Sequence, residues 1–204
     1  MLRYEPLPGF EGITLSGSYL TLRELYSLLH DVNERSAVIR DKEAGLMELA
    51  YDVRKAYEGR REVIKPPEYM PEAGTRFGVA LLWPQVLVQA RILRVSLAYM
   101  DHGPSHQAFT YALEAVLHDA LDDVFASDAD KIKGAWQMID PATPATEERL
   151  ESRSAAFRSW SGVRRKASLA GLLKSFHPLY EELPSMWENM ESHLHPSNLA
   201  AARF

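Results

Sequence analysis

Apolar residues recur every three or four positions along most of the chain, the spacing of helices that bury one face. Thr21 opens the first such stretch, and Glu24 follows three positions later, a pairing typical of a helix N-terminus. Gly59 closes the second stretch, where a glycine readily forms the left-handed turn that ends a helix. The pattern predicts helices over residues 21–33, 42–58, 84–101, 105–126, 128–139, 146–160, 163–176 and 185–195.

Three short stretches in the N-terminal half favour strands. Residues 13–15 alternate apolar and polar side chains between glycines, and residues 61–65 lead into a proline pair. Residues 77–82 form an apolar run that suits a buried strand. The sequence therefore predicts an α+β fold in which helix predominates. We expect a small sheet of short strands in the N-terminal half, covered by helices, and an all-helical C-terminal third.

The segment Pro141–Pro144 is the clearest linker in the chain, because it combines two prolines with small residues. We therefore predict an α+β core domain over residues 1–140. Residues 141–204 are expected to form a helical C-terminal extension, packed on the core or on a second subunit.

Composition is that of an ordinary globular protein. Hydrophobic residues make up 46% and charged residues 25% of the 204 positions, with a formal net charge of -5. The chain has no cysteine, which excludes disulfides, thiolate nucleophiles and iron–sulfur clusters. Its first residues lack the apolar stretch of a signal peptide, and the apolar run 77–90 is shorter than the ~20 residues that span a bilayer. We expect a cytoplasmic protein with no membrane contact and no cofactor.

Three patches in the first 125 residues resemble a family of bacterial proteins catalogued only as a domain of unknown function. They are residues 10–20 with Leu25-Tyr26, residues 51–63, and the strand that ends in Leu82-Trp83-Pro84. The family usually has an acid after the Trp-Pro pair, where this chain has Gln85. The resemblance implies a bacterial origin and an α+β core over residues 1–125, and it carries over no catalytic residue.

The densest group of aromatic and charged residues lies on the predicted helix 42–58 and just beyond it. Arginine side chains can bind a carboxylate or phosphate, and tyrosines can line a pocket beside them. The candidate ligand-binding residues are Tyr51, Asp52, Arg54, Tyr57, Arg61 and Trp83. The simpler interpretation is an amphipathic helix with ion pairs on its outer face, such as Arg54 with Glu58.

Glu114, His118 and Asp122 recur every four residues on the predicted helix 105–126. A histidine and carboxylates at this spacing can contribute to a metal site in a helical bundle, and a metal-dependent hydrolase is therefore an alternative function. Such a site needs further ligands from another helix. The simpler interpretation is a solvated acidic face with one histidine.

Residues 149–174 are rich in lysine and arginine and include Phe157 and Trp160. Basic residues with interleaved aromatics are typical of nucleic-acid contact, which gives a further alternative function. The simpler interpretation is that these charges pair with the acidic first half of the chain or with a second subunit.

Motifs for nucleophilic catalysis and phosphate binding are missing. The sequence has no Gly-x-Ser-x-Gly elbow and no phosphate-binding glycine loop. Large apolar residues, such as Trp160 and Phe176, lie on the C-terminal helical segments. The leading hypothesis is a non-catalytic interaction or regulatory protein that forms a homodimer and contacts other proteins.

Overall fold

The computed structural model describes residues 1–177 and Tyr180. Its helices lie where the periodicity predicted them, with boundaries that shift by a few residues. They are α1 (Tyr19–Arg35), α2 (Leu46–Tyr57), α3 (Trp83–Leu97), α4 (Pro104–Phe125), α5 (Ala129–Gln137), α6 (Pro144–Ser159) and α7 (Gly162–Lys174). The helix expected over 185–195 lies outside the described residues.

Four strands form one antiparallel sheet in the order β1-β2-β4-β3. They are β1 (Arg3–Pro6), β2 (Gly12–Gly17), β3 (Glu62–Ile64) and β4 (Arg76–Leu82). Every residue of β2 is buried, and α1 to α4 all contact the sheet. The predicted fold class is confirmed: a predominantly helical α+β protein with a small N-terminal sheet and a helical C-terminal part.

Gly12 allows the two central strands to pair closely. A Cβ atom at this position would lie 1.8 Å from the backbone oxygen of Leu81 on β4, so only glycine fits without moving a strand. The close approach seats β2 between β1 and β4 at the centre of the sheet.

Helix α1 begins earlier than the capping pattern predicted. Its N-cap is Ser18, whose side chain accepts a hydrogen bond from the Thr21 backbone nitrogen at 3.2 Å. The expected Thr21–Glu24 capping box is therefore wrong, because Thr21 lies inside the first turn. Helix α2 starts at Leu46 rather than near residue 42, whereas Gly59, with φ 74, follows its end as expected.

Helix α3 is the centre of the hydrophobic core. Most of its residues are buried, and it contacts α1, α2 and every helix from α4 to α7 in the described chain. Trp83 begins the helix with no exposed surface, and its ring packs against Phe125 at 5.6 Å. Helix α3 ends at Leu97, before the predicted residue 101.

The last two described helices pack on the preceding part of the chain. Helix α6 contacts α3, and α7 contacts α5 and the turn Pro8–Phe10. A Cβ atom at Gly162 would lie 3.2 Å from Gly9, so this glycine lets α7 approach the turn. The boundary between a core domain 1–140 and an extension 141–204 stays a prediction. None of the helices within the described residues is long and apolar enough to cross a membrane.

Candidate functional site

The outer face of α2 carries ion pairs, as the interpretation of this segment as an amphipathic helix predicted. Asp52 accepts from Arg61 at 2.5 Å, and Arg54 donates to Glu58 at 3.0 Å. These charges lie at the surface, where such pairs contribute about 0–1 kcal/mol each. The two arginines therefore already have carboxylate partners on this part of the chain. Tyr51 lies on the same helix with 42% of its surface exposed.

Tyr57 belongs to an aromatic cluster between α1 and α2. Its ring meets Tyr19 at 5.4 Å and Tyr26 at 6.0 Å, both edge to face, so the rings pack on one another. Burial and the neighbouring Tyr26 raise the pKa of Tyr57. Trp83 does not join this cluster, because it is fully buried in the core against Phe125. Ligand binding at these residues stays a prediction.

The three candidate metal ligands on α4 have separate partners. Arg94 holds Glu114 through two hydrogen bonds, one of 2.8 Å from Nε, and Lys133 donates to Asp122 at 2.5 Å. The His118 ring lies against Trp136 at 5.2 Å. Among the described residues, no group of three or more histidine, aspartate and glutamate side chains could hold a metal ion.

Two arginines of the basic segment 149–174 donate to backbone oxygens at helix ends. Arg149 donates to the carbonyls of Ser175 and His177, just after α7. Arg165 donates to Phe157 and Arg158 near the end of α6. Helix C-termini carry unpaired carbonyls and partial negative charge, so guanidinium groups stabilise them. This use of arginine is a reason for the basic composition that the sequence interpretation did not consider.

Two more cations of this segment lie over aromatic rings. The Arg164 guanidinium lies 4.5 Å from the centre of the Trp160 ring, and the Lys166 ammonium lies 5.2 Å from that of Phe10. Arg165 also meets the Glu11 carboxylate at 3.6 Å, which is one contact of the expected kind with the first half of the chain.

A large cleft of about 840 Å³ lies between the start of α2 and one face of α6. The α6 wall is a stripe of residues three or four positions apart. It comprises Pro144, Glu147, Glu148, Leu150, Glu151, Ser154, Ala155 and Arg158. The opposite wall comprises Arg40, Asp41, Ala44, Gly45 and Glu48, and Gln85 from the first turn of α3 lies between the two walls.

The wall formed by residues 40–45 is held in place by hydrogen bonds to two other helices. Lys42 donates to the backbone oxygens of Asn33 and Ser36 at 2.7 and 2.6 Å. The Asn33 side chain donates back to the Lys42 oxygen, and Gln89 of α3 donates to the Gly45 oxygen, both at 2.9 Å. These bonds replace a first turn of α2, which explains why that helix starts at Leu46.

Ser154 is the unusual polar residue of the cleft. Only 3% of its surface is exposed, yet its hydroxyl has no hydrogen-bond partner among the described residues. Its neighbours on α6 behave differently: Ser152 donates to the Arg149 oxygen at 3.0 Å and Ser159 to the Ala156 oxygen at 2.7 Å. A buried hydroxyl without a partner costs roughly 1–3 kcal/mol.

The charge in the cleft is predominantly negative. Five carboxylates line it, and none of them forms an ion pair within 4.0 Å in the described part of the chain. They are Asp41, Glu48, Glu147, Glu148 and Glu151. Two arginines offset two charges, which leaves the lining side chains at -3. The nearby Lys42 ammonium, which interacts with Glu147, and about +0.5 from each N-terminus of α2, α3 and α6 reduce this excess to about -0.5. The helix N-termini also stabilise the unpaired carboxylates.

One pKa shift shows that the charge on α6 acts across to the residue 40–45 wall. Burial lowers the pKa of the Lys42 ammonium, and the Glu147 carboxylate raises it in partial compensation. The two side chains therefore interact across about 100 positions of sequence. The sequence interpretation missed this cleft because nothing local links its two walls. The carboxylates spaced along 147–151 were the only local sequence feature that marks one of its walls.

A smaller cavity of about 320 Å³ lies between α1 and the start of α4. There Asp31 accepts from Arg35 at 2.8 Å and lies 2.9 Å from Nε2 of His106. Nδ1 of that histidine is buried and has no hydrogen-bond partner among the described residues. Burial raises the pKa of Asp31, but the contacts with His106 and Arg35 outweigh it, and the pKa lies below its ordinary value. This group joins α1 to α4.

The fold and the cleft together define a helical α+β protein with a polar cleft whose lining side chains are predominantly acidic. The chain belongs to the family described as a domain of unknown function, DUF6904, whose model matches residues 2–203. The match confirms the family resemblance, which the sequence patches indicated only for residues 1–125, and extends it through the C-terminal third. No curated protein and no solved structure matches the chain.

Proposed function

We propose that this chain is a non-catalytic binding protein and that the cleft between α2 and α6 is its binding site. The observation that carries the proposal is the combination of a cleft of about 840 Å³ with a buried, unpartnered serine hydroxyl in its wall. Clefts of ≈ 300–1,000 Å³ are the usual size for ligand sites. An unsatisfied polar group that lowers stability is typical of a site whose partner is a ligand.

The partners of the ionisable residues support binding rather than catalysis. Glu114 and Asp122 are paired with cations, and Arg149 and Arg165 bind backbone carbonyls. The carboxylates of the cleft lie on two walls. Hydrogen bonds to α1 and α3 hold the residue 40–45 wall, and the α6 wall packs on α3. A preformed, charged cleft favours recognition of a partner.

The proposal includes a cytoplasmic, bacterial protein that acts as a homodimer, in line with the family resemblance and the cysteine-free composition. Sedimentation velocity at micromolar concentration tests the dimer, and a monomer at all concentrations contradicts it.

The binding site is tested by nuclear magnetic resonance with a mixture of neutral, cationic and anionic fragments. The cleft-filling variant Ala155→Trp places a large side chain on the α6 wall, where Ala155 is exposed. The matched control is Ala115→Trp, at an exposed position of α4 outside the cleft. We expect fragment-induced shifts that Ala155→Trp abolishes and Ala115→Trp preserves. Equal shifts in both variants contradict a site in the cleft.

A further inference from the structure

Resting on the proposed function, we propose that the α2–α6 cleft selects alkylammonium groups, carried either by a free linear polyamine or by lysine side chains of a peptide. The five cleft carboxylates accept the ammonium groups from both walls, and the Ser154 hydroxyl accepts one at the α6 wall. The aliphatic parts of the ligand lie on the apolar surface that Ala44, Leu150 and Ala155 contribute.

The sign of the charge favours a cation. The lining side chains carry five negative charges against two positive ones, and this imbalance attracts positive ligands to the cleft. Burial lowers the pKa of the Lys42 ammonium, and Glu147 offsets part of that lowering, so an ammonium group near α6 is attracted by this carboxylate within the protein itself. An incoming ammonium group is attracted in the same way by the cleft carboxylates, which form no ion pair within 4.0 Å among the described residues.

The spacing of the carboxylates favours an extended cation over a metal ion. A metal ion needs several ligands at ≈ 2.0–2.6 Å around one point. No set of three acidic or histidine side chains in residues 1–177 meets that need. Carboxylates spread along two walls of an 840 Å³ cleft instead match a chain that carries several separated charges.

Ser154 supplies an observation independent of the acidic residues. Ser154 is 97% buried and lines the cleft, and its hydroxyl lacks a hydrogen-bond partner within the described chain. A hydroxyl oxygen accepts from an ammonium group, and hydrogen bonds to charged groups are the stronger ones. Binding therefore removes the desolvation cost that this hydroxyl imposes on the free protein.

The test is isothermal titration calorimetry of the full chain at low ionic strength. The probes are spermidine and a trilysine peptide blocked at both ends, and 1,8-octanediol is the neutral control. We expect both cationic probes to bind and the diol not to bind. The tighter of the two cationic probes identifies the source of the ammonium groups. Diol binding as tight as that of spermidine overturns the inference.

Variants assign the binding to the cleft. We expect Glu147→Gln/Glu151→Gln to weaken spermidine binding about tenfold, because each lost charge contact contributes about threefold. Ser154→Ala is expected to weaken it about tenfold through the lost hydrogen bond. The control Glu68→Gln/Glu72→Gln removes two exposed carboxylates outside the cleft and is expected to bind like the unchanged protein. Equal weakening by the control overturns the inference, since the charge effect is then non-specific.

The outcomes separate the two proposals. One outcome is that neutral or anionic fragments bind and Ala155→Trp abolishes their binding, while spermidine and trilysine do not bind. This outcome overturns the ammonium preference but leaves the binding site in place. Tight binding of magnesium chloride at the same site with equal affinity also overturns the preference. Absence of any cleft-dependent binding overturns both proposals.

Discussion

Replacing Ser154 by alanine removes a buried hydroxyl that has no partner within the described chain, so we expect this variant to be more stable than the unchanged protein. The desolvation of the Ser154 hydroxyl costs roughly 1–3 kcal/mol, and helix propensity favours alanine over serine by about 0.5 kcal/mol. The loss of one buried atom offsets part of this gain. We expect a net increase of about 1.5 kcal/mol in the free energy of unfolding, equivalent to about 3–6 °C in Tm for a chain of this size.

The assay is urea unfolding followed by circular dichroism, with Ser152→Ala on the same helix as the matched control. The Ser152 hydroxyl donates to the Arg149 backbone oxygen at 3.0 Å. In Ser152→Ala the loss of this hydrogen bond therefore offsets the stability gained from the higher helix propensity of alanine. We expect the Ser152→Ala midpoint to stay close to that of the unchanged protein. If Ser154→Ala stabilises no more than Ser152→Ala, the hydroxyl is already satisfied in the free protein and the reasoning fails.

Three further changes test other parts of the structure. Gly12→Ala places a Cβ atom 1.8 Å from a backbone oxygen of β4, and we expect a loss of about 3 kcal/mol or more in unfolding free energy, measured by urea titration. Arg94→Ala leaves the half-buried Glu114 carboxylate without its partner and is expected to cost about 2 kcal/mol by the same measurement. Asp123→Asn is expected to bring the pKa of Tyr4 from about 12 back toward 10.0, followed by phenolate absorbance.

Each of these predictions has a control or a contradicting outcome. Gly134→Ala on α5, where a Cβ meets no atom within 4 Å, is expected to stabilise by about 1 kcal/mol, so equal losses at both glycines contradict the steric argument. Adding Glu114→Gln to Arg94→Ala is expected to recover part of the lost unfolding free energy, because the Glu114 carboxylate that lacks its arginine is replaced by a neutral amide. A Tyr4 pKa that does not change in Asp123→Asn contradicts the hydrogen bond.

The Tyr4 shift also predicts the pH dependence of stability. The hydrogen bond to the Asp123 carboxylate, together with burial, raises the pKa of Tyr4 from 10.0 to about 12 in the folded chain. Because the folded pKa exceeds the unfolded one, the Tyr4 contribution is complete below pH 10 and is lost as the pH rises toward 12. Stability above pH 10 should therefore fall less steeply in Asp123→Asn than in the unchanged protein.

Apolar periodicity predicted the helices well because each one buries a stripe or a whole surface in a single core. Helix α3 is the clearest case, since its nearly continuous apolar sequence matches its central position. Strand β1 was missed because Arg3–Pro6 is mostly exposed and ends in a proline, so no alternation marks it. Pairing with β2, rather than local pattern, makes it a strand.

The candidate sites were harder to predict because their partners lie far away in sequence. Glu114 is paired with Arg94, twenty positions earlier, and nothing in the spacing along α4 indicates this contact. The cleft depends on how α6 lies against residues 40–48, which is set by packing on α3. The spacing of the carboxylates within 147–151 gives no indication that residues 40–48 face them.

Amide chemical-shift mapping of the full chain during a spermidine titration tests the central claim most directly. The account predicts that the shifts lie on both walls of the cleft, around Gly45 and Glu48 on one side and Glu151 to Ala155 on the other. Shifts confined to the outer face of α2 around Tyr51, or spread evenly over the surface, would contradict it.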